Sequence, residues 1–466
     1  SKFTKLFSDI LAFIVSGVLV SFSFLLLGGD KIVYKMGGWY PPVGISLYVD
    51  QLTVMMLLIV NTIAFLSIIF SLSYMRQYTD KPKYWALFLL MLGGMNGVIV
   101  TGDFFNLFVY LEIASISSYA LVAFGVESEE LEASFKYLII GSVASTFILL
   151  GIALVYSYTG SVNMADVGKY LSLFGSTRVI MFAIALFIMG FATKAAMVPF
   201  HAWLPDAHPA APAPISAMLS GVLVKTLGIY ALIRVVYSVF GFSELVSVII
   251  LTLGGLSLVV GGFLSVGQDD FKRLLAYCTI GQIGYIAVGI GLGTPLGIAG
   301  ALFHLINHAV NKSLLFLNSG SIEAGTDTRD IKEMGGVMNA MPVTGTTTVI
   351  GSLSICGIPP FNAFWSKLMI FFATLESQQY LLTFLLGLET LLTIIAFARV
   401  LRFVVFAEPK KAKDVAPFPM YFVGIVLSAL CLVMGIGYSR VLQILVYPAR
   451  TALLEKMVYI KTLLGG

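Results

Sequence analysis

Thirteen apolar runs, each near the length that crosses a bilayer, limit what this chain can fold into. A spanning helix takes about 20 residues, and hydrocarbon leaves no partner for a backbone group outside a helix or closed barrel. The runs lie at 10–28, 48–74, 84–101, 104–125, 133–157, 179–198, 214–238, 244–266, 273–293, 297–319, 342–377, 380–406 and 418–438. Only 11% of residues are charged and 58% are hydrophobic, whereas a soluble domain is about 25% charged. An all-α polytopic membrane protein of 13–14 spans is therefore expected. The Gly/Pro/aromatic segment 29–47 reads as an extended interfacial piece. The tail 440–466 reads as an interfacial or partner-packed helix, or a fourteenth span.

Several classes are excluded. Cys278, Cys356 and Cys431 lie in apolar runs without a CxxC pair, which argues against a disulfide framework or a cysteine-held cluster. The net charge of +4 is spread over loops and forms no nucleic-acid footprint. The run at 10–27 spans rather than resembling a cleavable signal. Because the chain starts at Ser1, some N-terminal sequence is expected to precede it. No flavin, nicotinamide or cluster motif is visible. No catalytic site, metal or cofactor is expected in this chain, and an enzyme label would belong to an assembly around it. Lys and Arg concentrate on the side of the N-terminus, at Lys2, Lys5, Arg76, Lys81, Lys83, Lys136, Lys272, Arg273, Arg329, Lys332, Arg399, Arg402, Lys410, Lys411 and Lys413. That side is expected to be cytoplasmic. Lys31, Lys35, Lys169, Arg178 and Arg234 are counted to the other side.

The chemistry concentrates in charges placed at membrane depth. Lys194 and Lys225 flank a stretch of prolines, histidines and an aspartate in the segment 189–234. A lysine at that depth costs roughly 3 kcal/mol or more, so two of them mark a polar route. Lys194 precedes a break at Pro199; Lys367 follows a second break at Pro359–Pro360. Broken spans in corresponding halves point to an inverted-repeat transporter. Glu112 is either a helix-packing hydrogen-bond acceptor or the ion-pair partner of Lys194. His304, His308 and Lys312 recur every four residues and share one helix face. That spacing is compatible with a hydrated proton path, with polar packing, or with a metal or haem. Glu389 is a partner for Lys367 or a packing group. His201, Asp206 and His208 form either a hydrated mouth at the first break or a surface turn. Asp50 and Asp103, at span edges, are expected to cap helices.

The run GFATKAAMVPFHAWLPDAHPAAPAPISAMLSGVLVKTLGIYALIR resembles the signature of the antiporter-like subunits. These are shared by respiratory complex I, Mrp sodium/proton antiporters and energy-converting membrane-bound hydrogenases. The likeness continues in YVDQLT, DFFNLFVYLEIAS, DDFKRLLAYCTIGQIGY, HLINHAVNKSLLFL and GIPPFNAFWSK, across nearly the whole chain. It is strongest toward Mrp D-type subunits and the H-type subunits of archaeal hydrogenase or sulfur-reductase complexes. The resemblance implies fourteen spans, two inverted five-helix repeats, and discontinuous seventh and twelfth helices at 179–198 and 342–377. On that numbering the first run is the family's second span, so a first helix is expected to be absent from this chain. The repeats would cover 84–243 and 244–407, with peripheral helices in 1–83 and a C-terminal helix and tail in 408–466.

The resemblance also implies roles for single residues. Glu112 and Lys194 would pair, Lys225 would carry protons, His304, His308 and Lys312 would line the route, and Lys367 would end it. His201, Asp206, His208 and Glu389 would be accessory. The implied protein is a multi-pass subunit of the cell membrane that moves protons and, in an antiporter, exchanges them for sodium. Its partners would be other antiporter-like and small Mrp-type membrane subunits, or iron–sulfur and nickel hydrogenase-like subunits. A stand-alone secondary transporter of a small solute and a haem-bearing redox enzyme are the competing readings.

Overall fold

The structure is a computed structural model and describes residues 2–78, 80–408, 410, 413 and 416–465. Of the basic residues used above for orientation, Lys411 lies outside the described residues. Apolar runs become helices because only a helix satisfies its own backbone in a membrane. In chain order these are α1 (Lys2–Leu25), α2 (Gln51–Tyr74), α3 (Lys81–Val100), α4 (Phe104–Val122), α5 (Ser128–Thr159) and α6 (Met164–Phe174). Then come α7 (Arg178–Lys194), α8 (Leu204–Ala210), α9 (Ala213–Phe240), α10 (Glu244–Val266), α11 (Phe271–Gly291) and α12 (Pro295–Thr326). The last long helices are α13 (Pro342–Cys356), α14 (Asn362–Glu376), α15 (Tyr380–Val405) and α16 (Phe418–Ile436).

Among the described residues, 10 helices are long and apolar enough to cross a membrane. Three more crossings complete the expected set. Two are the broken pairs α7–α8 and α13–α14. The third is α12, whose row of His304, Asn307, His308, Asn311 and Lys312 makes it the most polar of the long buried helices. The protein is an all-α polytopic membrane protein. The segment 29–47, expected to be extended, forms a hairpin: β1 (Ile32–Lys35) pairs antiparallel with β2 (Ser46–Val49), joined by a helical turn at Met36–Gly38 and a second turn. Asp50 caps α2 by accepting from Thr53 N at 2.9 Å, and Asp103 caps α4 by accepting from Asn106 N at 2.8 Å. The tail turns at Glu455, leaving one helix over 438–454 and a second at Lys456–Leu464. Their buried face (Val446, Ala449, Leu453, Tyr459, Leu463) packs onto the bundle.

A backbone motif occurs twice. Phe104 N donates to Val162 O at 2.9 Å and Met164 N to Gly102 O at 2.9 Å. Phe271 N donates in the same way to Arg329 O at 3.0 Å, and Ile331 N to Asp269 O at 2.8 Å. Beside the second copy, Lys332 and Arg399 each reach Asp269 at 2.6 Å. The Lys332 ammonium, then the Arg399 guanidinium, hold its carboxyl below the usual range.

The core is built on α9, α11 and α12. Small residues bring the backbones close there, as membrane helix packing favours. A Cβ at Gly228 on α9 would lie 2.5 Å from Ala195 N, and one at Gly261 on α10 would lie 2.3 Å from Gly281 N on α11. Much of α9 (219–223, 225–230 and 234–240) winds with i→i+5 hydrogen bonds, a rare form that recurs at functional sites.

Two expectations are corrected. The first break begins earlier than Pro199: α7 stops at Lys194, because Ala196 turns into the left-handed region (φ 54°) and Met197 N closes the turn on Ala192 O at 2.9 Å. Arg234, counted above toward one face of the membrane, is no surface charge. It sits inside α9, buried, with its guanidinium bonded in fork fashion to Asp50 at 2.7 and 2.8 Å. The buried Asp50 makes it an interior position.

Candidate functional site

The break after α7 is held from two sides. Trp203 stacks on Tyr137 (centroids 4.2 Å apart, planes at 7°) and donates Nε1–H to Thr193 O at 3.0 Å. Lys194, the last residue of α7, is thereby fixed at mid-bundle. Its Nζ donates to Ser115 Oγ at 2.9 Å and Tyr119 Oη at 3.3 Å, and lies 3.9 Å from Glu112 Oε1. The two charges stand at the outer limit of an ion pair rather than in hydrogen-bond contact. Glu112 is not a fully buried carboxylate: its side chain is 26% exposed against 4% for Lys194. It accepts a short hydrogen bond from Ser145 Oγ. The acid thus stands at the outer surface of α4 and the base in the interior.

Lys225 is fully buried on α9 and donates to Ser220 O within its own helix. Ser220 Oγ in turn meets Thr279 Oγ1 of α11 at 2.8 Å. His208 on α8 and His308 on α12 are both fully buried, and neither ring has a hydrogen-bond partner among the described residues. α9 packs closely on α12 here: a Cβ at Gly221 would lie 2.4 Å from Ser313 Oγ. Lys312 donates to Leu275 O at 2.8 Å. The ring planes of His304 and His308 are parallel to within 4°, with centroids 6.1 Å apart.

From His304 the chain of polar contacts continues. Its Nε2 meets Gln282 Oε1 at 3.1 Å and its Nδ1 meets Ser366 Oγ at 3.0 Å. Gln282 Nε2 donates to Glu389 Oε1 at 2.7 Å, and Thr393 Oγ1 donates to the same oxygen at 2.8 Å. Glu389 Oε2 lies 3.7 Å from Lys367 Nζ, close enough for attraction and too far for a hydrogen bond. Lys367 Nζ sits 4.8 Å over the Tyr285 ring and lines a cavity of about 310 Å³ with Phe364, Phe371, Gly387 and Thr390.

The structure thus brings Lys225, His308, Lys312, His304, Glu389 and Lys367 into one buried polar axis. The Glu112–Lys194 pair is set at its flank, where Gly228 of α9 abuts Ala195. His201 is half-buried in the turn of the first break, away from that axis of contacts. Asp206 faces solvent, between Lys136 (3.2 Å) and Arg273 (2.6 Å). Sequence reasoning missed the neutral links Ser115, Tyr119, Gln282 and Ser366. Nothing in their type marks them in an apolar run; the signal is their position opposite the charged residues on neighbouring spans. It also missed the Arg234–Asp50 pair, which Thr53 Oγ1 (3.1 Å) and Tyr230 Oη (3.3 Å) complete. No group of three or more His, Cys, Asp or Glu fit to hold a metal occurs among the described residues.

Residues 101–393 match the family described as NADH:quinone oxidoreductase/Mrp antiporter, TM. Residues 40–85 match the N-terminus of chain 5 of NADH-ubiquinone oxidoreductase (complex I). The D-type subunit of the Na(+)/H(+) antiporter of Alkalihalophilus pseudofirmus is 32% identical over 441 residues, covering 93% of this chain and 88% of its own. A chain of the Mrp complex from Dietzia sp. DQ12-45-1b superposes with a TM-score of 0.93 at 25% identity, over 99% of this chain and 95% of that one. A chain of the membrane-bound sulfane sulfur reductase, an archaeal respiratory membrane complex, does so with a TM-score of 0.89 at 31% identity, over 99% and 98%. This chain belongs to the NADH:quinone oxidoreductase/Mrp antiporter family of membrane proteins.

Proposed function

We propose that this chain is a proton-translocating subunit of a multisubunit membrane complex. The observation that carries the reading is the buried axis from Lys225 through His308 and His304 to Lys367. A buried ammonium is costly, and three on one axis are hard to account for as packing. The unpaired ring nitrogens of His208 and His308 suit exchange of protons with water, since imidazole both donates and accepts. Lys225 is the carrier, the histidines and Lys312 are the relay, and Lys367 with Glu389 is the far end. Glu112 and Lys194 form the switch: as their separation changes, so does the field at Lys225.

The lysine- and arginine-rich face, with the N-terminus, is cytoplasmic on this reading. The route then runs from the mouth near α8 to the cavity beside Lys367. Inversion of the two halves, 84–243 and 244–407, is supported by the twice-used backbone motif at Phe104 and Phe271. Partners are other membrane subunits. An Mrp-type antiporter, which would exchange protons for sodium, and a redox-driven reductase are the two settings its relatives suggest.

The test is to purify the chain from its own membranes and measure ion flux in vesicles for the assembled complex and for the chain alone. Flux by the complex and none by the chain alone is expected; full flux by the isolated chain would show a stand-alone transporter. Iron and nickel in the complex would mark the redox setting, and their absence from an active complex the antiporter setting.

A further inference from the structure

The two broken helices correspond residue by residue. Ala196 and Gly357 both take a left-handed turn, at φ 54° and 78°. Met197 N then closes on Ala192 O at 2.9 Å, and Ile358 N on Leu353 O at 3.2 Å. Phe200 N bonds Met197 O at 2.6 Å, as Phe361 N bonds Ile358 O at 3.1 Å. The sequences agree in the same register: Pro199-Phe200-His201-Ala202 against Pro360-Phe361-Asn362-Ala363. Carried on, that register sets Asp206 opposite Lys367.

The sign of the charge is reversed, and so is its company. Lys367 is buried and faces the acid Glu389. Asp206 faces two bases, Lys136 of α5 at 3.2 Å and Arg273 of α11 at 2.6 Å. It lines a polar cavity of about 260 Å³. α8 has no side-chain cap at its N-terminus. Its C-terminal carbonyls are held by bases instead, Pro209 O by Arg329 at 3.2 Å and Ala211 O by Lys272 at 3.5 Å. Bases from α5, α11 and the loop after α12 therefore clamp this seven-residue segment. The same segment carries His208, two residues beyond Asp206, buried and unpaired.

We propose that Asp206 is the latch of a gate formed by α8, at the mouth opposite Lys367. With Asp206 clamped, α8 holds its own His208 in the interior and seals Lys225 from the polar cavity. With Asp206 released, α8 moves and the cavity joins the path. Partly exposed ion pairs of this kind are weak and break readily, which suits a latch that must open in each cycle. A gate of opposite sign at the other end is the Lys367–Glu389 pair. A path open at both mouths would leak, so the two must not open together. The proposal rests on the ion-path reading above.

The test measures access rather than transport, so its failure is separable from failure of that reading. In the assembled complex, Cys278, Cys356 and Cys431 are replaced by serine and His208→Cys is introduced. A membrane-impermeant maleimide is applied from the face of Asp206. Slow labelling is expected, rising at least ten-fold on adding Asp206→Asn and staying slow with Asp206→Glu. The double variant Lys136→Gln/Arg273→Gln removes the clamp from its other side and should match Asp206→Asn; it also serves if Asp206→Asn fails to assemble. Equal rates in the parent and both clamp-free variants, or rapid labelling in the parent, would overturn the gate.

Discussion

The buried lysines Lys194, Lys225 and Lys312 each donate to a neutral oxygen. Lys194 keeps Ser115 and Tyr119 within hydrogen-bond distance while Glu112 stands 3.9 Å away. Removing the acid therefore leaves the lysine solvated by hydroxyls but deprives it of its field. Glu112→Gln should lower ion flux of the complex at least ten-fold while subunit composition on purification stays unchanged. Loss of the subunit from the complex would assign Glu112 a packing role instead. The buried charges were legible in sequence, since an ionisable group inside an apolar run is costly there and stands out by type. The four-residue spacing of His304, His308 and Lys312 showed their common face. Gln282 and Ser366, which join His304 to its surroundings, were invisible, because an uncharged polar residue in a span is inexpensive and common.

At the scale of the helices, α9 decides the geometry. It carries Lys225, touches the first break at Gly228, and is pinned near its end by Arg234. The Arg234–Asp50 pair is buried on both sides, at 4% and 1% exposure, so neither charge has water to fall back on. Tyr48, Tyr230 and Tyr459 surround the guanidinium within 5.9 Å. Removing one member leaves the other charged and unpaired, which costs about 3–5 kcal/mol. Asp50→Ala should therefore lower the denaturation midpoint of the complex strongly. The double variant Asp50→Leu/Arg234→Met should recover part of that loss. A double variant as unstable as the single would show that the pair is not what anchors α9. The helices themselves were readable from hydrophobic length, and both breaks from their prolines. The onset of the first break was not, because Ala196 in a left-handed turn has no signature in residue type. Nor was the i→i+5 winding of α9, which follows from packing against its neighbours.

In the whole molecule, two halves, each with a broken helix and an ionisable group at the break, share a single buried axis. The pairing of Phe104 with Val162 and of Phe271 with Arg329 gives each half the same frame. Reversal of sign between Asp206 and Lys367 gives the two ends different chemistry. Sequence showed the two breaks and the basic bias of one face, because both are local in residue type. That the lysines, histidines and Glu389 meet on one axis depends on how α9, α11, α12, α14 and α15 pack, and only the folded chain brings them together. The most direct measurement is proton flux by the complex reconstituted in vesicles, with Lys225→Ala and Lys367→Ala each compared with the parent at equal subunit content. If the axis is the proton path, either substitution alone abolishes flux while the complex stays assembled. Parental flux in either variant would contradict it.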